Sequence, residues 1–417
     1  MNQLIKNVRL EVSYNYNDNQ IVTKTNTEIF DVLIKNGVIS KIDKNIDCRD
    51  ATIIDAKQQL MIPAFKEMHT HLDKTYFGGE WIAPMPAENG VFSRIKEEEV
   101  LLKDLESVTE ERARHLIKHY ISLGHTHIRT HVNVDPTVGI SHVELITKLL
   151  KEYDDVITYE IVAFPQHGLY RNGQEFITLF EQALSLGVTH VGGLDPAMVD
   201  KNIHQSLDTI VSLAKKYDLG IDIHLHDADT LGLFEIHHLL DLVEQYDFTN
   251  NITLSHVFAL AGISDEELKK LSERLKKHNV LIASTVAIGE APITLPIFDL
   301  DRYGVKVAVV HDSLIDHWSP FGSGDTIRKL NALAQRFGLI DEYSISQTLK
   351  FSNGGINLLD EKGQLMWPKV GDEANLLLVD AISSAHMIAR RAPISTVISR
   401  GNILKEEELE LKGAYWG

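Results

Sequence analysis

His69-Thr-His71 sets two imidazoles two positions apart. On a β-strand, positions i and i+2 share a face, so both rings can reach one cation. In GIDIHLHD (220–227), Ile221, Ile223 and Leu225 alternate with Asp222, His224 and His226, and His224 offers that cation a third nitrogen. Asp312 shares a strand face with the small Ala308. An aspartate there can complete a three-histidine, one-aspartate set with an open position for water. Imidazole with carboxylate suits zinc or ferrous iron, so the expected cofactor is one divalent ion per subunit.

These residues must be held by a framework that composition already limits. The chain has 417 residues, 44% hydrophobic and 24% charged, which predicts a globular protein with a large core. A formal charge of -18 repels polyanions, so the expected partner is a neutral or cationic small molecule, with no nucleic acid and no membrane. Cys48 is the only cysteine, which excludes an intramolecular disulfide framework and cysteine-rich zinc sites. MNQLIKNVRLEV has no long apolar core of a signal peptide, and VLIASTVAIGEAPITLPIF (280–298) is broken by Glu290, Pro292 and Pro296. A cytoplasmic homo-oligomer is expected.

Eight short apolar runs follow residue 60: 61–71, 126–134, 157–166, 189–196, 220–227, 251–260, 280–287 and 304–313. Between them lie stretches with helical spacing, such as 111–124, 175–187 and 265–279. Strand–helix alternation predicts an α/β fold, a (β/α)8 TIM-like barrel over 61–364, with its chemistry at the C-terminal ends of the strands. His69, His71, His131, Asn133, Gln166, His224–Asp227, His256, His311 and Asp312 all fall at those ends. Short β-type runs at 30–43, 51–59, 373–381 and 393–404 predict a small β-sandwich domain built from both termini, 1–60 and 365–417.

The stretches HTHLDKT (69–75), RTHVNVD (129–135), VAFPQHGL (162–169), IDIHLHDAD (221–229), LSHVFAL (254–260) and HDSLIDHW (311–318) resemble, in order, those of the amidohydrolase superfamily and its cytosine deaminase branch. The resemblance implies metal ligation by His69, His71, His224 and Asp312. It implies that His256 stands beside the attacking water, that Gln166 contacts the amide edge of a ring, and that the aromatic Trp318 lies beside the substrate. Binuclear members carry a lysine at the end of the fourth strand; here that strand ends VGGLDPA, which implies a single ion.

Such an ion lowers the pKa of water toward ~7, with His256 and Asp312 orienting that water and accepting its proton. An acid must then protonate the departing amine. The family's acid is a glutamate three positions after the strand-five histidine; here Asp227 occupies that position as the expected shuttle, about one methylene shorter, with Asp229 in reserve. Asp227 also reads as a helix N-cap. His226 reads equally as a substrate contact, a support for a ligand, or a partner for a neighbouring carbonyl. GSGD (322–325) reads as a loop and N-cap, His131 as polar infill, and His237 with His238 as a structural or exposed pair. The run 72–90 reads as a lid or a packed loop.

The expected function is metal-dependent hydrolytic deamination of a small aminated nitrogen heterocycle of cytosine, pteridine, creatinine or triazine type. Hydrolysis of a cyclic or linear amide and a non-catalytic ligand-binding relative are the alternatives. Asp227 and the short segment GEAPITLPIFDLDRYG (289–304) argue against cytosine itself.

Overall fold

A computed structural model describes residues 2–286 and 294–404. Two sheets organise them. The first holds β1 (Asn2–Tyr16), β2 (Val22–Lys35), β3 (Val38–Asp43), β4 (Thr52–Asp55) and β5 (Leu60–Pro63) from the N-terminal side. The second is the barrel: β6 (Phe65–Thr70), β7 (His125–Asn133), β8 (Thr158–Phe164), β9 (His190–Leu194), β10 (Gly220–His224), β11 (Ile252–Ser255), β12 (Leu281–Ser284) and β13 (Lys306–Val309). The C-terminal β14 (Leu376–Val379), β15 (Ile394–Ser399) and β16 (Asn402–Ile403) return to the first sheet.

The terminal sheet runs in the order β16-β15-β14-β5-β1-β2-β3, with β4 paired to β1. Its β2–β3 hairpin turns at Asn36-Gly37, where φ values of 52 and 78 match the left-handed pair that a type I′ turn demands. The run at 61–71, read as one strand, divides: β5 pairs with β14 and β1, while β6 pairs with β7 in the barrel. Ala64 lies between them, its N–H donating to Asn375 O in the terminal region. The expected segments 289–293 and 405–417 lie outside the described residues.

The barrel's eight strands are all parallel and in chain order, because each is followed by a covering helix. The helices that matter here are α1 (Val91–Leu105), α2 (Thr109–Ser122), α3 (Ser141–Lys151), α4 (Gly173–Ala183), α5 (Ile203–Tyr217), α6 (Asp229–Gln245), α7 (Asp265–Lys277), α8 (Ile297–Arg302) and α9 (Thr326–Arg336). Side chains of Asn202, Ser264 and Asp325 cap α5, α7 and α9, each accepting a backbone N–H of the first turn. The circle closes where Thr70 bridges Asp312 and the Asp312 N–H donates to His69 O at 2.8 Å.

A barrel of this kind usually fills its axis with branched apolar side chains. Here the axis also carries ions. Arg129 on β7 donates to Asp222 on β10 at 3.0 Å and to Thr253 on β11 at 2.6 Å, all three buried.

Candidate active site

The strand ends at the C-terminal mouth bring His69, His71, His131, His224, His256 and Asp312 into one cluster. His69, His71, His131 and His224 can each offer an atom within 4.8 Å of the others, and so can His69, His224, His256 and Asp312. Asp312 Oδ1 lies 3.3 Å from His69 Nε2 and 3.2 Å from His71 Nε2; its Oδ2 is 3.9 Å from His256 Nε2. The fit to a cation rests on unpartnered atoms. Neither ring nitrogen of His224 has a hydrogen-bond partner, nor do His69 Nε2, His71 Nδ1 and His256 Nε2, and all are buried. Buried imidazoles without partners are costly, and a divalent ion removes that cost.

Electrostatics favour the ligating forms. Burial and the neighbouring imidazoles hold His224 well below its ordinary pKa, hence neutral. Burial opposes ionisation of Asp312, but the His69 and His71 imidazoles beside it override burial and keep the carboxyl well below the usual range. Backbone strain marks the same positions: His256, Val257 and Asp312 have φ of 70, 48 and 61, left-handed values that non-glycine residues seldom adopt.

A support layer sets the rings. His69 Nδ1 meets Ser255 Oγ at 2.8 Å, and Ser255 Oγ donates to Asp222 Oδ1 at 2.9 Å. His131, read from sequence as polar infill near the site, has its ring centroid 3.9 Å from that of His69 and its Nε2 3.3 Å from Asp222 Oδ1. Burial, then the charge of His69, pushes its pKa down to about 3.

His226 stacks on His256 at 4.5 Å, and its Nδ1 meets Asp195 Oδ2 at 2.9 Å. Burial works against its charged form, but the Asp195 carboxylate outweighs burial and raises the pKa. Asp227 Oδ2 accepts the Met198 N–H at 3.2 Å, and the neighbouring Glu235 of α6 accepts the Ala197 N–H at 2.8 Å. Burial, then the Asp227 charge, pushes Glu235 up to about 9.

Gln166 and Trp318 belong to a second buried group around Glu98 of α1. Lys74 Nζ donates to Gln166 Oε1 at 2.8 Å and pairs with Glu98 Oε1 at 3.3 Å. His317 Nε2 and His167 Nε2 reach Glu98 at 2.8 and 3.0 Å, and Trp318 Nε1 donates to it at 3.5 Å. Glu98 is fully buried, and these cationic and N–H partners hold its carboxyl well below the ordinary range against the effect of burial.

Sequence reasoning assigned no role to Glu98, Lys74, Asp195, His317 or Glu235. Glu98 sits in KEEEV, a charge run indistinguishable from a solvated helix face, and Lys74 lies within a quoted motif whose histidines drew the attention. Asp325 caps α9, as read from GSGD. His238 Nε2 meets His204 Nδ1 at 2.9 Å on the outer surface. In the run 72–90, residues 72–77 are buried while Trp81, Ile82 and Met85 are exposed.

Comparison with known proteins gives the arrangement its relatives. The amidohydrolase family profile matches residues 155–404. Uncharacterized protein YahJ of Escherichia coli (strain K12) is 38% identical over 404 residues, 96% of this chain and 87% of that protein. N-isopropylammelide isopropyl amidohydrolase of Pseudomonas sp. (strain ADP) is 30% identical over 393 residues, 91% of this chain and 94% of that one. The crystal structure of N-isopropylammelide isopropylaminohydrolase from Burkholderia multivorans ATCC 17616 superposes with a TM-score of 0.82 at 24% identity, covering 97% of this chain and 98% of that chain.

Proposed function

The chain belongs to the amidohydrolase family, metal-dependent hydrolases of carbon–nitrogen bonds, and from that premise we propose that it removes an amino or alkylamino group from a small azine ring bearing oxo groups. The observation that carries this reading is the contact of Lys74 Nζ with Gln166 Oε1. Lysine has no acceptor, so the Gln166 oxygen is committed to it and the amide Nε2 is left to donate. Lys74 spends its N–H groups on Gln166, Glu98 and Asn133, so it fixes the glutamine whose Nε2 presents the donor, and the matching ring edge carries an acceptor, as an oxo group does.

Its own residues divide the work. His69, His71, His224 and Asp312 would hold the divalent ion, zinc or ferrous iron by donor type. When bound, the ion supplies Lewis acidity that makes a water nucleophilic near neutral pH. His256, held neutral by burial and by His226, accepts the water's proton at Nε2, aided by Asp312 Oδ2. His226, charged through Asp195, delivers a proton to the leaving nitrogen, which cannot depart as an anion. The carboxylate of Asp227, turned to Met198 and Glu235, supports that region instead of acting as the primary donor. Trp318 flanks the ring, oriented through Glu98.

The same reading takes 61–364 as the catalytic barrel, 1–60 with 365–417 as a composite β domain, and the chain as a cytoplasmic homo-oligomer. None of the described helices is long and apolar enough to cross a membrane.

The test is a panel of aminated and N-alkylaminated oxo-azines, pterins and cyclic amides, scored for ammonia or amine and for new carboxylate. Amine release from an oxo-azine is expected. A ring-opened carboxylate as the sole product would overturn the proposal in favour of cyclic amide hydrolysis.

A further inference from the structure

The opposite, N-terminal end of the barrel holds a cavity of about 620 Å3. That volume falls inside the roughly 300–1,000 Å3 typical of small-molecule sites. This end of such a barrel ordinarily serves stability and is packed shut. Here small side chains such as Ala308 leave it open, and charged ones line it: Lys66, Arg129, Lys306 and Lys350 against Glu160 and Asp301.

The ion pairs within the cavity leave an excess of positive charge. Lys350 Nζ pairs with Asp301 Oδ2 at 2.6 Å, and Arg129 is compensated twice, by Glu160 Oε2 at 2.8 Å and by Asp222 Oδ2 at 3.0 Å, so the excess rests on Lys66 and Lys306. Lys66 and Lys306 have no ion pair among the described residues, and they enter from β6 and β13, the two strands that meet at the barrel's closure. Arg129 bonds through Nε and Nη1, so its Nη2 is also uncommitted among the described residues. A side chain on Gly354, at φ 86, would come within 3.3 Å of Lys66 Nζ, so a glycine keeps room for the ammonium. In a chain of formal charge -18, uncompensated cations gathered in one hollow are the exception, and they match an anion.

We propose that this cavity binds a small molecule carrying a phosphate or carboxylate group, held by Lys66, Lys306 and the Nη2 of Arg129, at a site separate from the metal cluster. The anion's oxygens accept from the two ammonium groups and the guanidinium, and the apolar wall at Phe351 and Ile252 takes the remainder of the ligand. This does not depend on the substrate assigned above.

The experiment is titration calorimetry of the metal-loaded full chain at constant ionic strength with three probes: inorganic phosphate, citrate and adenosine monophosphate. One saturable site per chain is expected for at least one probe, with a Kd below about 1 mM. Tightest binding by citrate would mark a carboxylate ligand, and by adenosine monophosphate a nucleotide. The double substitution Lys66→Gln/Lys306→Gln should weaken that binding tenfold or more while hydrolytic turnover stays within twofold of the parent. Lys66→Arg/Lys306→Arg should restore it, separating lost charge from lost fold. Absence of saturable binding for all three probes, or an affinity unchanged in Lys66→Gln/Lys306→Gln, would overturn the proposal.

Discussion

Arg129 and Asp222 form an ion pair 3.0 Å long inside the barrel, and Asp222 reaches the metal cluster through Ser255 to His69. Removing one partner of a buried pair leaves the other charge without compensation, at a cost of about 3–5 kcal/mol. Arg129→Met should therefore lower the melting temperature substantially. It should also weaken metal retention about 10–100-fold, because the groups that orient a ligand contribute that much to affinity. Metal analysis after dialysis reads the second effect separately from the first.

The His226–Asp195 pair predicts a change in pH dependence. Asp195 raises the His226 pKa, so the protonated form, proposed as the acid, persists as pH rises and is lost as pH passes that pKa. Asp195→Asn should move the alkaline limb of the rate profile to lower pH and reduce kcat by about 10²–10⁴ with metal content unchanged. An unmoved alkaline limb would show that another group is the acid.

Lys74 and Glu98, both buried, predict a dissociation of stability from activity. Lys74→Met alone should cost several kcal/mol of stability and about tenfold or more in kcat/KM, the scale of one charge-assisted hydrogen bond. Lys74→Met/Glu98→Gln should recover much of the stability and none of the activity. Chemical denaturation together with steady-state kinetics distinguishes the two.

How far the sequence carries depends on whether a residue's role is local. The alternation of apolar runs and helical spacing foretold β7 to β13, while the two-residue grouping of Asp222, His224 and His226 holds only within β10, since His226 lies past the strand's end and meets Asp195. The division at Ala64 was not legible, since β5 and β6 form one apolar run and only their partners in two different sheets separate them. Glu98 was hidden for a related reason: a helix glutamate is solvated or buried according to what packs over it, here Lys74, His167 and His317 from distant segments. Asp227 kept its place in the motif, but contacts with Met198 and Glu235, set by α6 packing, decide where its carboxyl points.

Glu235 gives a second pH prediction, now of stability. Its folded pKa, near 9, lies above the ordinary 4.5, so the folded state holds a proton that the unfolded state releases between those values. That contribution is complete below about pH 4.5 and is lost as pH climbs toward 9. Glu235→Gln, which keeps the shape and a donor without the proton, should flatten the decline in melting temperature between pH 6 and 9 relative to the parent. Parallel declines in the two proteins would contradict the raised Glu235 pKa.

The unpartnered nitrogens of His224 predict the effect of metal removal. Stripping the ion should abolish turnover and lower the melting temperature, since binding at 100 times Kd stabilises by about 2.7 kcal/mol. His224→Ala should purify with metal well below one equivalent; a full complement would show that the ligand set is wrong.

The aspartate of that set occupies the seam of the barrel. The Asp312 N–H bonds to His69 O, and the Thr70 hydroxyl donates to Asp312 O at 3.1 Å, so the first and last strands are stitched together at the two ends of the ligand list. The proposed ligand set is therefore complete only once the final strand has docked. With the proposed ligands, a truncated or mispaired chain that leaves the ring open should fail to load metal.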